Sequence, residues 1–281
     1  MTDDYVVIKP FNNSVVLVRH MNKEKIIIKK GIGFAKKPGE TISGSTELEK
    51  VFVLENRENS KKFNQLVSEI DNSVIGLCEE IICMISSNIK EPLNERIHVA
   101  LVDHIAFTLK RTKNNDIIAN PFTLEIKTLY PREMEIAKMA VNMLKERTGL
   151  DIPDDEAGFL ALHIHSARNR CGQSNSLQYA LLCNEIIELI EKELNISVDR
   201  SSIDYSRFIY HIRLAFDRAV KKIPVKNALL NSIKRTYPVS YSVAKKAAKL
   251  IEDELKVKLS NEEKGYIAMH IERLKNASSY Q

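Results

Sequence analysis

The stretch YPREMEIAKMAVNMLKERTGLDIPDDEAGFLALHI, residues 130–164, returns 107 positions later as YPVSYSVAKKAAKLIEDELKVKLSNEEKGYIAMHI, residues 237–271. The two stretches align without a gap, and ten of the 35 positions are identical. From about residue 63 onward, apolar residues recur at the three- and four-residue spacing of amphipathic helices. An internal repeat of this length predicts two copies of one helical domain in the chain.

Histidines recur at matching positions of the two copies. The repeat pairs His163 with His270, and the same offset carries the segment DHIAF onto YHIRL, so that His104 matches His211. Each copy therefore holds two histidines with the same separation along the chain. A single histidine on an apolar helix face is more often structural than reactive, but coincidence in both copies favours function. Both roles stay open at this point.

Three kinds of histidine chemistry fit these repeated positions to different degrees. His163 and His165 are two positions apart and point to different helix faces, and Glu272 replaces the second histidine in the other copy, so a metal site shared by both copies would have to join helices. A hydrolase with a catalytic triad fits less well, because the nucleophile motif GxSxG is absent. Transfer of a phosphoryl group to a neutral imidazole fits best. Candidate counter-charges for the phosphate are Arg96, Arg207 and Arg213.

The N-terminal part of the chain has a different texture. Short β-branched runs cover Tyr5–Ile8, Ser14–Val18, Lys25–Ile28 and residues 50–55, and turn-forming residues separate them. These runs predict a four-stranded antiparallel sheet. The polar stretch at residues 55–62 is interpreted as a short linker to the helical part.

A cationic segment, KKGIGFAKK at residues 29–37, lies within this sheet region. Between residues 19 and 37 there are seven lysines and arginines against one acid. Lysines neutralise phosphates, glycines permit close backbone approach, and an exposed Phe34 would stack on an unpaired base. The alternative is a glycine hairpin with a solvated basic rim and Phe34 in the core. A nucleotide-binding P-loop is excluded, because GxxxxGK[ST] is absent.

Composition limits the class of protein. The chain has 281 residues, 44% hydrophobic and 28% charged, with a formal net charge of +5, and no apolar run is long enough to span a bilayer. The acidic start MTDDYVVIKP does not resemble a signal peptide, so we expect a cytoplasmic protein without membrane insertion. We expect four buried, unpaired cysteines and no zinc site, since CxxC spacing is absent from Cys78, Cys83, Cys171 and Cys183.

The whole pattern resembles the BglG/SacY/LicT family of transcriptional antiterminators. KKGIGFAKK and the paired histidines in DHIAF, LHIHSA, YHIRL and MHIERL carry the resemblance, which covers essentially the whole chain. It implies an α+β multidomain protein with a four-stranded antiparallel RNA-binding domain at residues 1–58. Two homologous all-α helical bundles, the phosphotransferase-system (PTS) regulation domains, would follow at residues 65–170 and 172–281.

The resemblance also implies a function and partners. The first domain would act as a homodimer that binds a hairpin in a leader mRNA, called the ribonucleic antiterminator. Binding would prevent an overlapping terminator upstream of a PTS sugar-uptake gene, with a glucose permease gene favoured. PTS sugar permeases (EII) and the carrier protein HPr would phosphorylate the histidines. No enzymatic activity, metal or cofactor is implied.

The family's site residues carry over by position. RNA contacts fall on Lys9, Asn12, Asn13, Ser14, Lys30, Gly31 and Phe34. Phosphorylation would fall on His104, His163, His211 and His270. Ser14 departs from the usual asparagine and shortens the reach of that side chain, and Lys29 replaces a common glycine; His98 and His165 receive no phosphoryl role. The rivals are a metal-dependent enzyme and a PTS-regulated DNA-binding activator; the latter would need a helix-turn-helix that the strand-like N-terminal segment does not suggest.

Overall fold

The protein is described here by a computed structural model covering residues 4–116, 118, 120–168 and 176–278. These residues form two compact units. The first contains the described residues of 1–120 and 132–174, and the second contains those of 121–131 and 175–281. The domain boundaries expected from the repeat and the resemblance stay predictions.

An antiparallel sheet begins the first unit. Its strands are β1 (Tyr5–Pro10), β2 (Val15–His20), β3 (Lys23–Ile28), β4 (Thr41–Ile42) and β5 (Lys50–Leu54), in the order β4-β1-β2-β3-β5. The predicted α+β class is confirmed. Four strands were expected and match β1, β2, β3 and β5, whereas β4 was missed, because a strand of only two residues is too short to show an alternating pattern.

The central hairpin fixes the register of the sheet. Met21 and Asn22 connect β2 to β3 with φ angles of 49° and 58°, the positive values that a two-residue hairpin turn requires. The turn sets His20 opposite Lys23 and Val16 opposite Ile27. The turn therefore fixes the register between β2, the central strand of the sheet, and β3.

The helices of the first unit follow the sheet. In the described part of the chain they are α1 (Arg57–Glu69), α2 (Asn72–Asn88), α3 (Ile97–Lys113), α5 (Pro131–Thr148) and α6 (Glu156–Arg168). The predicted linker at residues 55–62 is wrong from Arg57 onward. The side chain of Asn56 accepts hydrogen bonds from the backbone amides of Glu58 and Asn59 and so starts α1 within the polar stretch.

Both faces of the sheet are buried. On one face Val16, Val18 and Ile27 form a cluster with residues of the neighbouring loops and strands. Val15 and Leu17 point the other way and are also fully buried, and α2 contacts β2 and β3. The sheet is thus covered by helix, which places its loops beside α2.

The second unit is helical. It contains α4 (Thr123–Leu129), α7 (Ser176–Leu194), α8 (Ile203–Lys221), α9 (Leu230–Thr236), α10 (Pro238–Leu255) and α11 (Asn261–Ser278). The repeat is visible in the elements, since α5 and α10 have 18 residues each and both begin at the proline of a Tyr-Pro pair. The short helix α4 belongs here through the buried Glu125, which accepts hydrogen bonds from Arg200 (3.0 Å) and from the Tyr205 hydroxyl (2.6 Å).

Three predicted buried cysteines, Cys78, Cys83 and Cys183, are buried, and Cys171 lies outside the described residues. No helix in the described part of the chain is both long and apolar enough to cross a membrane. Among the same residues, no group of three or more histidine, cysteine or acidic side chains is arranged to hold a metal ion.

Candidate functional sites

Two turns of the sheet are locked together at one end. The Asn12 side chain accepts hydrogen bonds from the backbone amides of Ser14 (2.8 Å) and Val15 (2.9 Å). The backbone amide of Gly33 donates to the carbonyl of Asn13 at 3.0 Å. A Cβ atom at Gly33 would lie 2.1 Å from the Asn12 carbonyl oxygen, so this approach requires glycine. The contact brings residues 12–14 beside residues 30–34.

Phe34 lies on the surface of this pair of turns. Its side chain is 71% exposed, so the alternative that placed it in the core is wrong. Gly31 has a φ of 79° and accepts a hydrogen bond from the Phe34 amide at 3.2 Å, which turns the chain tightly. Lys30 and Asn13 are exposed beside it. An aromatic ring, a cation and an amide are thus available together.

Most of the predicted RNA contacts line one groove of the first unit, about 920 Å³ in volume. Helices α2 and α5 supply its opposite side, with Glu80, Met84 and Arg147 among the lining residues. Lys9 is outside the groove, and its ammonium group donates to the Val67 carbonyl at 2.8 Å. The groove residues among the predicted contacts are Asn12, Asn13, Ser14, Lys30, Gly31 and Phe34.

The first histidine cluster joins α3 and α6. The rings of His104 and His163 have centroids 4.9 Å apart. The buried Glu156 carboxylate accepts hydrogen bonds from His104 Nε2 (3.1 Å), from the Thr108 hydroxyl (3.0 Å) and, on its other oxygen, from Arg111. His104 is therefore part of a closed hydrogen-bond network.

Charges in the first cluster are set by burial and by this network. Burial alone would raise the pKa of Glu156, but the hydrogen bond from His104 and the charge of Arg111 outweigh it and hold the pKa below its usual value. The carboxylate is thus ionised and can only accept, so Nε2 of His104 donates in this hydrogen bond. Burial, with a contribution from nearby His104, lowers the pKa of His163 to about 4. His163 is neutral at cellular pH.

The second histidine cluster joins α8 and α11. His211 and His270 are stacked, with ring centroids 4.0 Å apart. Arg218 holds Glu263 with two hydrogen bonds, one of them Nη2 to Oε2 at 2.8 Å. Within the described part of the chain His211 is exposed and makes no hydrogen bond. A cavity of about 210 Å³ lies beside these four residues.

The ring nitrogens of this second pair also favour the neutral form. Burial and then the neighbouring His211 lower the pKa of His270 to about 4. Burial and the charge of Arg218 lower the pKa of His211. Neutral imidazoles carry the lone pair that phosphoryl transfer requires.

The arginine–glutamate pairs were missed at the level of sequence. Glu156 and Glu263 are identical positions of the repeat, and Arg111 and Arg218 are related by the same offset, which is the signal that would have found them. Of the counter-charges suggested instead, Arg207 lies 3.6 Å from Asp204, and Arg213 donates to the Leu129 carbonyl.

The two unassigned histidines have structural partners. His165 lies 2.9 Å from Glu133, which also binds Arg168. His98 is buried, with Nδ1 2.8 Å from Glu79. These partners account for both histidines without a phosphoryl role.

Comparison with known proteins identifies both halves of this arrangement. The CAT RNA binding domain family matches residues 5–61, and the PRD domain family matches residues 79–167 and 184–274. The chain belongs to the BglG family of transcriptional antiterminators. As a member of that family, it is an RNA-binding antiterminator regulated by phosphorylation through the PTS.

Relatives of this antiterminator cover nearly its full length. Protein GlcT of Staphylococcus haemolyticus is 35% identical over 278 residues, 98% of each chain. Protein GlcT of Staphylococcus aureus is 34% identical over 275 residues, 95% of this chain and 96% of the relative. A crystal structure of GlcT CAT-PRDI, 39% identical, matches 59% of this chain and 99% of its own with a TM-score of 0.52.

Proposed function

We propose that the antiterminator grips a leader-mRNA hairpin with the paired turns of residues 12–14 and 30–34. The observation that carries this is the exposed Phe34 beside Lys30 and Asn13, on turns that the Gly33–Asn13 contact locks together. An exposed ring stacks on an unpaired base, and a lysine neutralises a phosphate. Holding the hairpin would prevent the overlapping terminator from forming, as the family resemblance implies.

The proposed control acts through His104, His163, His211 and His270. A PTS permease or HPr would donate the phosphoryl group. The bond between phosphorus and the donor's side chain breaks as the lone pair of a histidine ring nitrogen forms the new P–N bond. The low pKa values of His163 and His270 support this role, since they keep both rings neutral. We further propose a homodimer and a glucose permease gene as the target, on the family resemblance.

RNA affinity of turn variants tests the first proposal. Phe34→Ala should weaken binding of the leader hairpin by about tenfold or more, because one stacked base contributes about 1–3 kcal/mol. Lys30→Ala should weaken it less and reduce the salt dependence by about one ion. Phe107→Ala and Lys61→Ala are matched controls, because both residues are exposed but lie outside the groove. Unchanged affinity of both turn variants would remove the turn from the RNA site.

Labelling tests the second proposal. The chain is incubated with radiolabelled phosphoenolpyruvate, the general PTS enzymes and the permease, and the labelled peptides are mapped. We expect acid-labile label on the four repeated histidines. Label on His98 or His165 with none on the repeated four would contradict the assignment.

A further inference from the structure

The Asn12 side chain is already engaged by the first helical domain. Its Nδ2 donates to Oε1 of Glu80 on α2 at 2.8 Å, and Arg147 on α5 binds the other oxygen of the same carboxylate. The Asn12 oxygen is occupied by its own turn, so Nδ2 is the amide group that faces outward. Glu80 thus takes one of the two N–H donors that this amide could offer to a base or phosphate.

Helix α2 has a notch that fits this side chain. Gly76 lies one turn before Glu80 on the same helix face. A Cβ atom at Gly76 would lie 2.5 Å from Asn12 Nδ2 and 2.7 Å from its Cγ. Glycine inside a helix is unfavourable relative to alanine, because its backbone loses more conformational freedom on folding. The close seat of Asn12 is a local reason for a glycine at this position.

Two further contacts join the same surfaces. Lys9, another predicted RNA contact, donates to the Val67 carbonyl of α1 at 2.8 Å. The rings of Phe11 and Phe63 meet edge to face with centroids 6.2 Å apart. Polar and apolar contacts together therefore hold residues 9–12 against α1 and α2.

We propose that this contact is autoinhibitory: α2 holds the RNA-binding turn in a self-occluded state. The inference rests on the proposed RNA site. Glu80 competes with RNA for the Asn12 amide, and its carboxylate lies in the groove that the phosphates would follow. RNA must displace the side chain first, so the apparent affinity equals the intrinsic affinity reduced by the fraction of molecules with the turn released.

The decisive variant is Gly76→Ala in the full chain. It leaves the net charge unchanged and favours the helix, while its methyl group displaces the Asn12 side chain. We expect about five- to tenfold tighter binding of a fluorescein-labelled leader hairpin RNA, measured by anisotropy. Glu80→Ala should tighten binding as well, beyond the effect of its matched control Glu69→Ala, an exposed acid that accepts from Gln65 at 3.0 Å.

Asn12→Asp separates this proposal from the function on which it rests. It keeps the acceptor oxygen of the turn but removes the Nδ2 donor both from the Glu80 contact and from the RNA contact. The lost RNA contact and the added negative charge outweigh the release from Glu80, so it should weaken binding, and Gly76→Ala should no longer tighten binding in that background. Wild-type or weaker binding by folded Gly76→Ala, with loss in Phe34→Ala, would overturn occlusion and leave the RNA site standing. Unchanged binding in both Phe34→Ala and Asn12→Asp would instead overturn the RNA site. Circular dichroism confirms that each variant is folded.

Discussion

The two histidine clusters have the same ground plan and differ in what the glutamate does. In the first cluster Glu156 accepts from His104, Thr108 and Arg111, and its side chain is 1% exposed. In the second cluster the Glu263 carboxylate accepts hydrogen bonds from Arg218 alone among the described residues, and the Arg218 side chain is 26% exposed. Position 108 corresponds to Ala215, which has no hydroxyl to offer.

This difference makes the first cluster closed and the second open. A phosphate on His104 Nε2 would stand against the Glu156 carboxylate, so that bond has to break before the charge is accommodated. His211 makes no such bond and borders a cavity. A duplicated scaffold therefore presents one histidine whose modification must rearrange its surroundings and one that accepts the group with less disturbance.

The closed and open clusters should differ most in what they contribute to stability. Glu156→Gln leaves the Arg111 side chain, only 8% exposed, without its counter-charge, and should lower the free energy of unfolding by about 3 kcal/mol or more. Glu263→Gln, its match in the second copy, should cost about 1 kcal/mol, because Arg218 can turn to water. Urea denaturation followed by circular dichroism measures both, and hydrogen exchange assigns the loss to α6 or α11. Equal costs would show that the two clusters are not differently closed.

The contrast between the clusters also shows which features of the site can be predicted from the sequence. The repeat predicted the histidine pairs, because an offset preserved through two copies reports a shared position, and the rings of both pairs do meet. The repeat could not predict which side chains donate hydrogen bonds to each glutamate, since that depends on packing between helices that are distant along the chain. The sequence did not predict β4, because a two-residue strand is too short to show an alternating pattern. It did not predict the early start of α1, because the first turn of that helix is polar.

In acid the two clusters should behave alike. The pKa of His163 and that of His270 lie at about 4, below the ordinary value of 6.5. Between these pH values the unfolded chain binds a proton that the folded chain does not, so this part of the stability is complete above pH 6.5 and is lost as the pH falls toward 4. At about 1.4 kcal/mol per pKa unit, the difference between 6.5 and about 4 is worth roughly 3–4 kcal/mol of folding free energy for each histidine.

Single variants isolate this pH effect. His163→Gln and His270→Gln should each flatten the dependence of unfolding free energy on pH between about 6.5 and 4.5, by similar amounts. Urea denaturation at closely spaced pH values measures the slope. A variant with the wild-type slope would mean that the corresponding histidine is not kept neutral by burial.

The smallest effect concerns the rate at which each histidine is phosphorylated. A small-molecule phosphoryl donor compares the closed and the open cluster without any donor protein. Phosphoramidate transfers its phosphoryl group to a histidine lone pair as ammonia leaves, so the rate reports exposure and hydrogen bonding of the ring. At Nε2, His211 should be modified about tenfold faster than His104, because Glu156 holds the Nε2 proton of His104 and a hydrogen bond to a charged group contributes about 1.5 kcal/mol or more that must be given up. Peptide mapping by mass spectrometry at a pH of about 7.5, where neutral imidazole predominates, gives both rates from one sample, with unfolded chain as the reference for intrinsic reactivity.

A variant beside the first cluster sharpens the same measurement. Thr108→Val removes one donor from Glu156 and leaves His104 in place, so it should change the His104 rate and not the His211 rate. Equal rates for the two histidines in the folded wild-type chain would mean that Glu156 does not restrain His104. The functional distinction between the two clusters would then have to come from the partner proteins that reach them, because the scaffold itself would offer both histidines on the same terms.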